Sequence, residues 1–183
     1  DARCWLVMTS TTTGTPDWRD VLIAGGTPLD SSATVNCCTT DIAGYPAVLA
    51  SWDFSVQGGS FGEADATAFV AATDVAIERG LPLVTLLRSG GTRLPEGMRA
   101  LVGIPRAALA LRRLRAAKLA HVSVADHPTT GGVWVGIGST ADVRIAVDGA
   151  LVGFSGPRAV AAMTGRDLAD GANTATAAYD AGL

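Results

Sequence analysis

The chain lacks most of what would commit it to the extracellular space, to a membrane or to nucleic acid. It has three cysteines in 183 residues, Cys4 and the adjacent pair Cys37 and Cys38. No C-x-x-C spacing occurs, one thiol is left over and adjacent cysteines rarely pair, which reads as a reduced, cytoplasmic protein. No apolar run reaches the roughly 18 residues of a membrane span. Lysine occurs once among the 14 basic residues, and the net charge of −3 argues against a general nucleic-acid binder. The two histidines have no second ligand at metal spacing, so no metal site is expected. Aromatics make up 5% of a chain that is 48% apolar, so the core must be built from Ala, Val and Leu.

This length supports one good core, and two domains are not expected. Residues 1–17 read as a disordered lead, with an expression leader ahead of Met8 as the alternative, and 18–183 as a single domain. The pattern predicts a short helix from Trp18 to Gly25-Gly26, strands over 34–42 and 46–57 joined by a turn at Gly44-Tyr45-Pro46, and a helix closed by Gly80. That helix has apolar positions at Ala66, Phe69, Val70, Ala72, Val75 and Ile77. A strand over 81–87, a glycine-rich loop over 88–97, a helical region over 98–118 broken at Pro105 and a strand over 119–126 follow. Beyond the string DHPTTGGVW come a helix over 133–141, two short strands over 142–154, and helices over 156–165 and 172–182. Alternating strands and helices indicate an α/β class with a largely buried sheet.

Two motifs need weighing. Gly58-Gly59-Ser60-Phe61-Gly62 fits the G-x-S-x-G nucleophile elbow, which makes a serine hydrolase using Ser60 an alternative, with His127 as its only base. A tight strand-to-helix turn is the preferred reading. Gly136-Ile137-Gly138-Ser139-Thr140-Ala141 matches a dinucleotide pattern, yet it falls inside a predicted helix, where small residues serve close packing. His121 reads as a buried strand histidine. The arginines Arg106, Arg112, Arg113 and Arg115, with Lys118, are either a solvated helix face or a phosphate contact.

Four strings stand in order: Asp53 to Gly62, Ser89 to Glu96, Asp126 to Val133 and Val152 to Arg158. They resemble D-F-x-x-x-G-G-S-x-G, S-G-G-A-R-x-x-E, D-P-T-T-G-G-V and I-G-F-A-G-P-R of the β-type carboxyltransferases of biotin-dependent acyl-CoA carboxylases, bacterial acetyl-CoA carboxylase above all. Here His127 is inserted before the proline of the third string. The resemblance implies the crotonase-like fold, a β-β-α superhelix with two near-perpendicular sheets. It also implies an acyl-CoA-binding half whose backbone amides stabilise the thioester oxygen as it becomes an enolate.

By that resemblance the oxyanion donors are expected at Gly131 and Gly132, with Gly90 and Gly91 completing the pocket. Ser89 and Thr130 would shape the loops, Arg112 and Arg113 would meet the CoA phosphates, and Arg158 would be structural. The implied cofactor is biotin on a separate carrier, and the implied partners are an α-type carboxyltransferase subunit, a biotin carboxyl carrier protein and an acyl-CoA substrate, in a hetero-oligomer with neither nucleic acid nor membrane. An acyl-CoA decarboxylase and a non-catalytic acyl-CoA-binding subunit are alternatives on the same fold. The relatives' four-cysteine zinc ribbon is missing, so no zinc is expected. The sequence stops at Gly182-Leu183, where relatives continue into another strand, so truncation or completion by a partner is expected.

Overall fold

The structure, a computed structural model, describes residues 4–8 and 18–182. Eight strands form one sheet: β1 (Cys4–Met8), β2 (Thr27–Pro28), β3 (Val35–Ile42), β4 (Tyr45–Trp52), β5 (Leu83–Ser89), β6 (His121–Thr130), β7 (Val143–Val147) and β8 (Val152–Gly153). Their order is β1-β7-β6-β5-β4-β3-β2, with β8 on β6. The strands β2, β3 and β4 pair antiparallel and the remainder parallel. The β3–β4 hairpin turns at Ala43 and Gly44, both at positive φ. Two consecutive left-handed residues match the twist of the flanking strands, which places the turn one residue earlier than predicted.

The helices are α1 (Trp18–Ala24), α2 (Glu63–Arg79), α3 (Met98–Ala116), α4 (Gly131–Gly136), α5 (Pro157–Thr164) and α6 (Ala175–Asp180). Gly80 closes α2 in the left-handed conformation. Ala66, Phe69, Ala72 and Ala76 of α2 are buried against Trp52 and Phe61, whereas Val70, Val75 and Ile77 are half-buried. Trp52, Phe61 and Phe69 pack as a trio with centroids 5.8, 5.9 and 6.5 Å apart. Each such buried side chain contributes about 2 kcal/mol through removal of apolar area from water. A second cluster on Cys38, Leu49, Leu86 and Val124, covered by Leu22 and Ile23 of α1, fills another part of the core.

What distinguishes the chain from a doubly wound sheet is the stretch between each long strand and its helix. Beyond β4, Phe61 bridges Thr92 in parallel; beyond the main part of β5, Ser89 pairs Thr129; and Thr129 in turn pairs Val152. Long strand, short extended stretch and helix therefore repeat, which is the β-β-α superhelix.

Four expectations change. Residues 4–8 of the expected disordered lead form the edge strand β1 on β7, because the apolar run after Arg3 can extend a parallel edge; residues 1–3 and 9–17 lie outside the described residues. The helix α3 runs through Pro105 without breaking: the carbonyl deprived of its partner is that of Leu101, a residue that is 49% exposed. The helix expected over 133–141 begins at Gly131 and breaks at Ile137 into a short 3-10 turn, Gly138–Thr140. Finally, β6 does not stop at Asp126. Between Leu87↔Ala125 and Ser89↔Thr129, the single residue Arg88 faces residues 126–128, a bulge that absorbs the inserted His127.

Candidate functional site

The ends of β5 and β6 meet through glycine. A Cβ on Gly131, whose φ is +67°, would lie 3.0 Å from the Gly91 Cα, and one on Gly91 would lie 3.4 Å from the Gly131 Cα. A Cβ on Gly132 would come within 2.9 Å of Ile104 Cγ1 and 3.0 Å of Thr92 Oγ1. The preceding loop closes in as well: a Cβ on Gly59 would stand 2.0 Å from the Arg88 carbonyl oxygen. Side chains at these places would force apart three strand ends, so the surface they form is backbone.

Not every amide here is available. Gly90 N donates to Gly58 O at 2.9 Å and Gly131 N to Phe154 O at 2.8 Å. Gly91 N donates to Ser89 Oγ at 3.0 Å. Gly132 stands second in α4, where an N–H has no acceptor within its own helix. Ser89 Oγ donates to Gly59 O at 2.6 Å, and Thr130 Oγ1 reaches Ser89 O at 3.4 Å. Both hydroxyls thus bind loop backbone.

Arg93 and Glu96, inside the quoted strings but not singled out, hold these loops together. The Arg93 guanidinium reaches Ser60 O (2.6 Å), Thr34 Oγ1 (2.7 Å), Asp65 Oδ2 (2.8 Å) and Glu96 Oε1 (3.0 Å). Asp65, 1% exposed, accepts from Gly62 N at 2.7 Å and from the Ser32 hydroxyl. Glu96 accepts from Glu63 N at 2.7 Å. That N–H, followed by Arg93, holds the Glu96 carboxyl below the usual carboxylate range. The acidic groups sit where a helix start favours negative charge. Thr92 and Phe154, which also shape the crossing, gave no sequence signal beyond their places in the strings.

Other expected residues fall elsewhere. Arg112 and Arg113 lie near the C-terminal end of α3, roughly 20 Å along the helix from the loop at Met98, and Arg113 pairs with Asp74 of α2 at 2.8 Å. The structure does not bring them to the glycines. Ser60 Oγ accepts from Arg93 Nε at 3.2 Å. His127 Nδ1 accepts from Leu151 N at 3.2 Å, and His121 Nε2 meets Thr85 Oγ1 at 3.1 Å, so neither imidazole is hydrogen-bonded to that serine. In the dinucleotide-like string, a Cβ on Gly136 would lie 2.4 Å from Ile104 Cγ2 and one on Gly138 2.7 Å from the Trp134 ring, which makes both glycines packing positions. The Arg158 side chain lies outside the described residues.

Alongside the crossing is a polar cleft of about 450 Å³ lined by Arg19, Asn36, Ser51, Asp53, Ser55 and Arg88, among others. Arg88 stacks over Phe54 at 5.0 Å and donates to His127 O at 2.8 Å. Arg19 pairs with Asp126. Among the described residues no group of three or more His, Cys, Asp or Glu could hold a metal ion, and no helix is long and apolar enough to cross a membrane.

Residues 31–178 match the family described as Carboxyl transferase domain. The acetyl-coenzyme A carboxylase carboxyl transferase subunit beta of Methylobacterium sp. (strain 4-46) is 41% identical over 130 residues, 71% of this chain and 43% of that protein. The protein of the same name from Mesorhizobium japonicum is 42% identical over 139 residues, 76% and 45% respectively. The chain therefore spans less than half the length of these curated relatives. Among solved structures, a Pseudomonas malonate decarboxylase hetero-dimer superposes with a TM-score of 0.76 at 28% identity, over 90% of this chain and 74% of that one. Transcarboxylase 12S, solved with methylmalonyl-coenzyme A and methylmalonic acid bound, gives 0.71 at 28% identity, over 80% and 28%. The matched length, the ordered motifs and the shared β-β-α superhelix lead to one assignment: the chain has the crotonase-like fold and belongs to the carboxyl transferase domain family.

Proposed function

We propose that the chain is the acyl-CoA-binding half of a biotin-dependent carboxyltransferase, moving a carboxyl group from carboxybiotin to the α carbon of an acyl-CoA such as acetyl-CoA. The observation that carries this reading is the Gly91–Gly131 crossing, a backbone surface at the strand ends. Carboxybiotin, brought as a substrate on its carrier protein, supplies the carboxyl group and a ureido nitrogen that can take the α proton. The glycine surface fits that chemistry, because what remains for this chain is to hold the thioester and stabilise its oxygen. The Gly132 N–H is the donor of the four expected glycines best placed to do so, with Gly91 and Gly131 keeping side chains out of its way. Ser89, Thr130 and Arg93 fix the loops. Arg88 and Arg19 line the neighbouring cleft and are better situated for CoA phosphates than Arg112 and Arg113. The other half of the site comes from an α-type subunit, and the assembly works in the cytoplasm.

Calorimetric titration with acetyl-CoA, propionyl-CoA and malonyl-CoA tests this, using the chain with and without a co-expressed α-type subunit. Binding that sharpens with the partner, weakens in Arg88→Glu and is lost in a folded Gly132→Pro is expected. No binding in either setting overturns it. Likeness to the malonate decarboxylase hetero-dimer favours a second reading, acyl-CoA decarboxylation; carbon dioxide release from malonyl-CoA without biotin would establish it. A serine probe whose labelling vanishes in Ser60→Ala would point to hydrolysis instead.

A further inference from the structure

The helix α3 buries Ala100, Gly103, Ala107, Ala110, Leu111 and Leu114 in the core. Its outward face is apolar as well. Met98, Leu101, Val102 and Leu109 are between 49% and 70% exposed, and Pro105 is exposed among them. A surface helix normally gives its solvent side to charged residues, and a contiguous apolar surface on a folded protein marks a place where something else packs. The neighbouring α2 keeps the ordinary pattern, with Glu63, Thr67 and Glu78 exposed.

The outward residues are regularly spaced. Met98, Val102, Pro105, Leu109 and Arg112 follow one another at intervals of 4, 3, 4 and 3 residues, the seam spacing of helices that pack as a coiled coil. Arg99, Arg106 and Arg113 recur every 7 residues and so run along one flank of that seam. The helix carries five arginines and no carboxylate. Glu63 and Asp74 of α2 meet Arg99 at 3.8 Å and Arg113 at 2.8 Å, whereas Arg106 donates to the Thr67 hydroxyl at 3.2 Å. Among the described residues, no carboxylate pairs with Arg112. The face therefore keeps an excess of positive charge. An open groove of about 550 Å³ has Val70, Leu109, Arg106, Arg112 and Arg113 in its lining.

We propose that the outward face of α3 docks an amphipathic helix of a partner protein, apolar along one stripe and acidic on the flank that meets these arginines. The apolar side chains of that helix pack between Met98, Val102 and Leu109, one of them entering the groove beside Val70, and its carboxylates face Arg106 and Arg112. The sign of the charge selects this occupant over a second copy of the chain, because two α3 helices laid together would bring two arginine-rich faces into contact. The inference does not depend on the carboxyltransferase reading and stands or falls independently of it.

The probe is a fluorescein-labelled synthetic helix of three heptads, with leucine at the seam positions and glutamate on both flanks. Two comparison peptides carry lysine in place of the glutamates or serine in place of the leucines. Each is titrated with the full chain and followed by fluorescence anisotropy. The acidic peptide should bind at least about tenfold tighter than either comparison peptide, and its advantage over the lysine peptide should shrink as salt rises. Leu109→Asp, at an exposed position, should weaken the acidic peptide at least about tenfold. Arg106→Glu combined with Arg112→Glu should reverse the preference between the acidic and basic peptides. If circular dichroism shows Leu109→Asp misfolded, the charge-reversed variant alone decides. Sedimentation of the chain by itself should show no dimer that Leu109→Asp dissolves. Such a dimer, no saturable binding, equal binding of the acidic and basic peptides, or a preference unchanged by charge reversal would each overturn the proposal, as would undiminished binding in a folded Leu109→Asp.

Discussion

Gly91 and Gly131 stand back to back, so that a methyl group on Gly131 would come within 3.0 Å of the Gly91 Cα. The loops after β5 and β6 can approach this closely only because neither residue carries a side chain. The same constraint, tighter still, holds at Gly59, where a methyl would lie 2.0 Å from a carbonyl oxygen that belongs to β5. Gly80, with a similar φ of +66°, has nothing within 4 Å. Gly80→Ala should therefore cost only the left-handed backbone strain, about 1 kcal/mol. Gly59→Ala must also displace the Arg88 carbonyl and should cost about 3 kcal/mol or more. Urea unfolding of both variants checks this. Equal losses would mean that the Gly59 approach does not constrain the fold.

Arg93 joins segments distant in sequence, from Thr34 to Glu96. Its side chain is 13% exposed and its partner Asp65 is 1% exposed. Removing the guanidinium leaves a buried carboxylate with its charge uncompensated. Arg93→Ala is expected to destabilise by about 3 kcal/mol, and Arg93→Lys to recover only part of that, because an ammonium cannot span the same acceptors. Denaturation midpoints of the two variants measure the difference; full recovery in Arg93→Lys would show that charge alone matters.

Acid should weaken the fold in two stages. Burial lowers His121 from 6.5 to about 4. Between those values the unfolded chain binds a proton that the folded chain does not, so stability falls as pH falls, by at most about 1.4 kcal/mol per pH unit. Above 6.5 this contribution is fully present. Glu96 has the opposite chemistry and the same sign of effect. Its lowered value gives a stabilisation that is complete above 4.5 and is lost as pH falls below it. Unfolding midpoints at about pH 7, 5.5, 4.5 and 3.5 should decline in that order, and His121→Gln should flatten the fall between about pH 7 and 4.5 while leaving the fall below it.

Much of this was legible in the sequence because it depends on local chemistry. Gly80 after a helical apolar pattern stops α2; the four ordered strings identify the family; and the small residues at Gly136 and Gly138 signal packing more than a dinucleotide fingerprint. The glycines of the crossing were legible as positions where backbone must be bare.

Tertiary structure decided the rest. Which amides remain available depends on carbonyls far along the chain, Phe154 for Gly131 and Gly58 for Gly90, and no local pattern encodes those pairings. The length of α3 separates Arg112 from the glycine loops, because a helix carries its last turns away from its first at a fixed rise. The sequence by itself determined the strand and helix pattern, the family and the need for side-chain-free loops. Only the folded chain decided which backbone groups are already paired and which charges share a cavity, since both are set by contacts between residues distant in sequence.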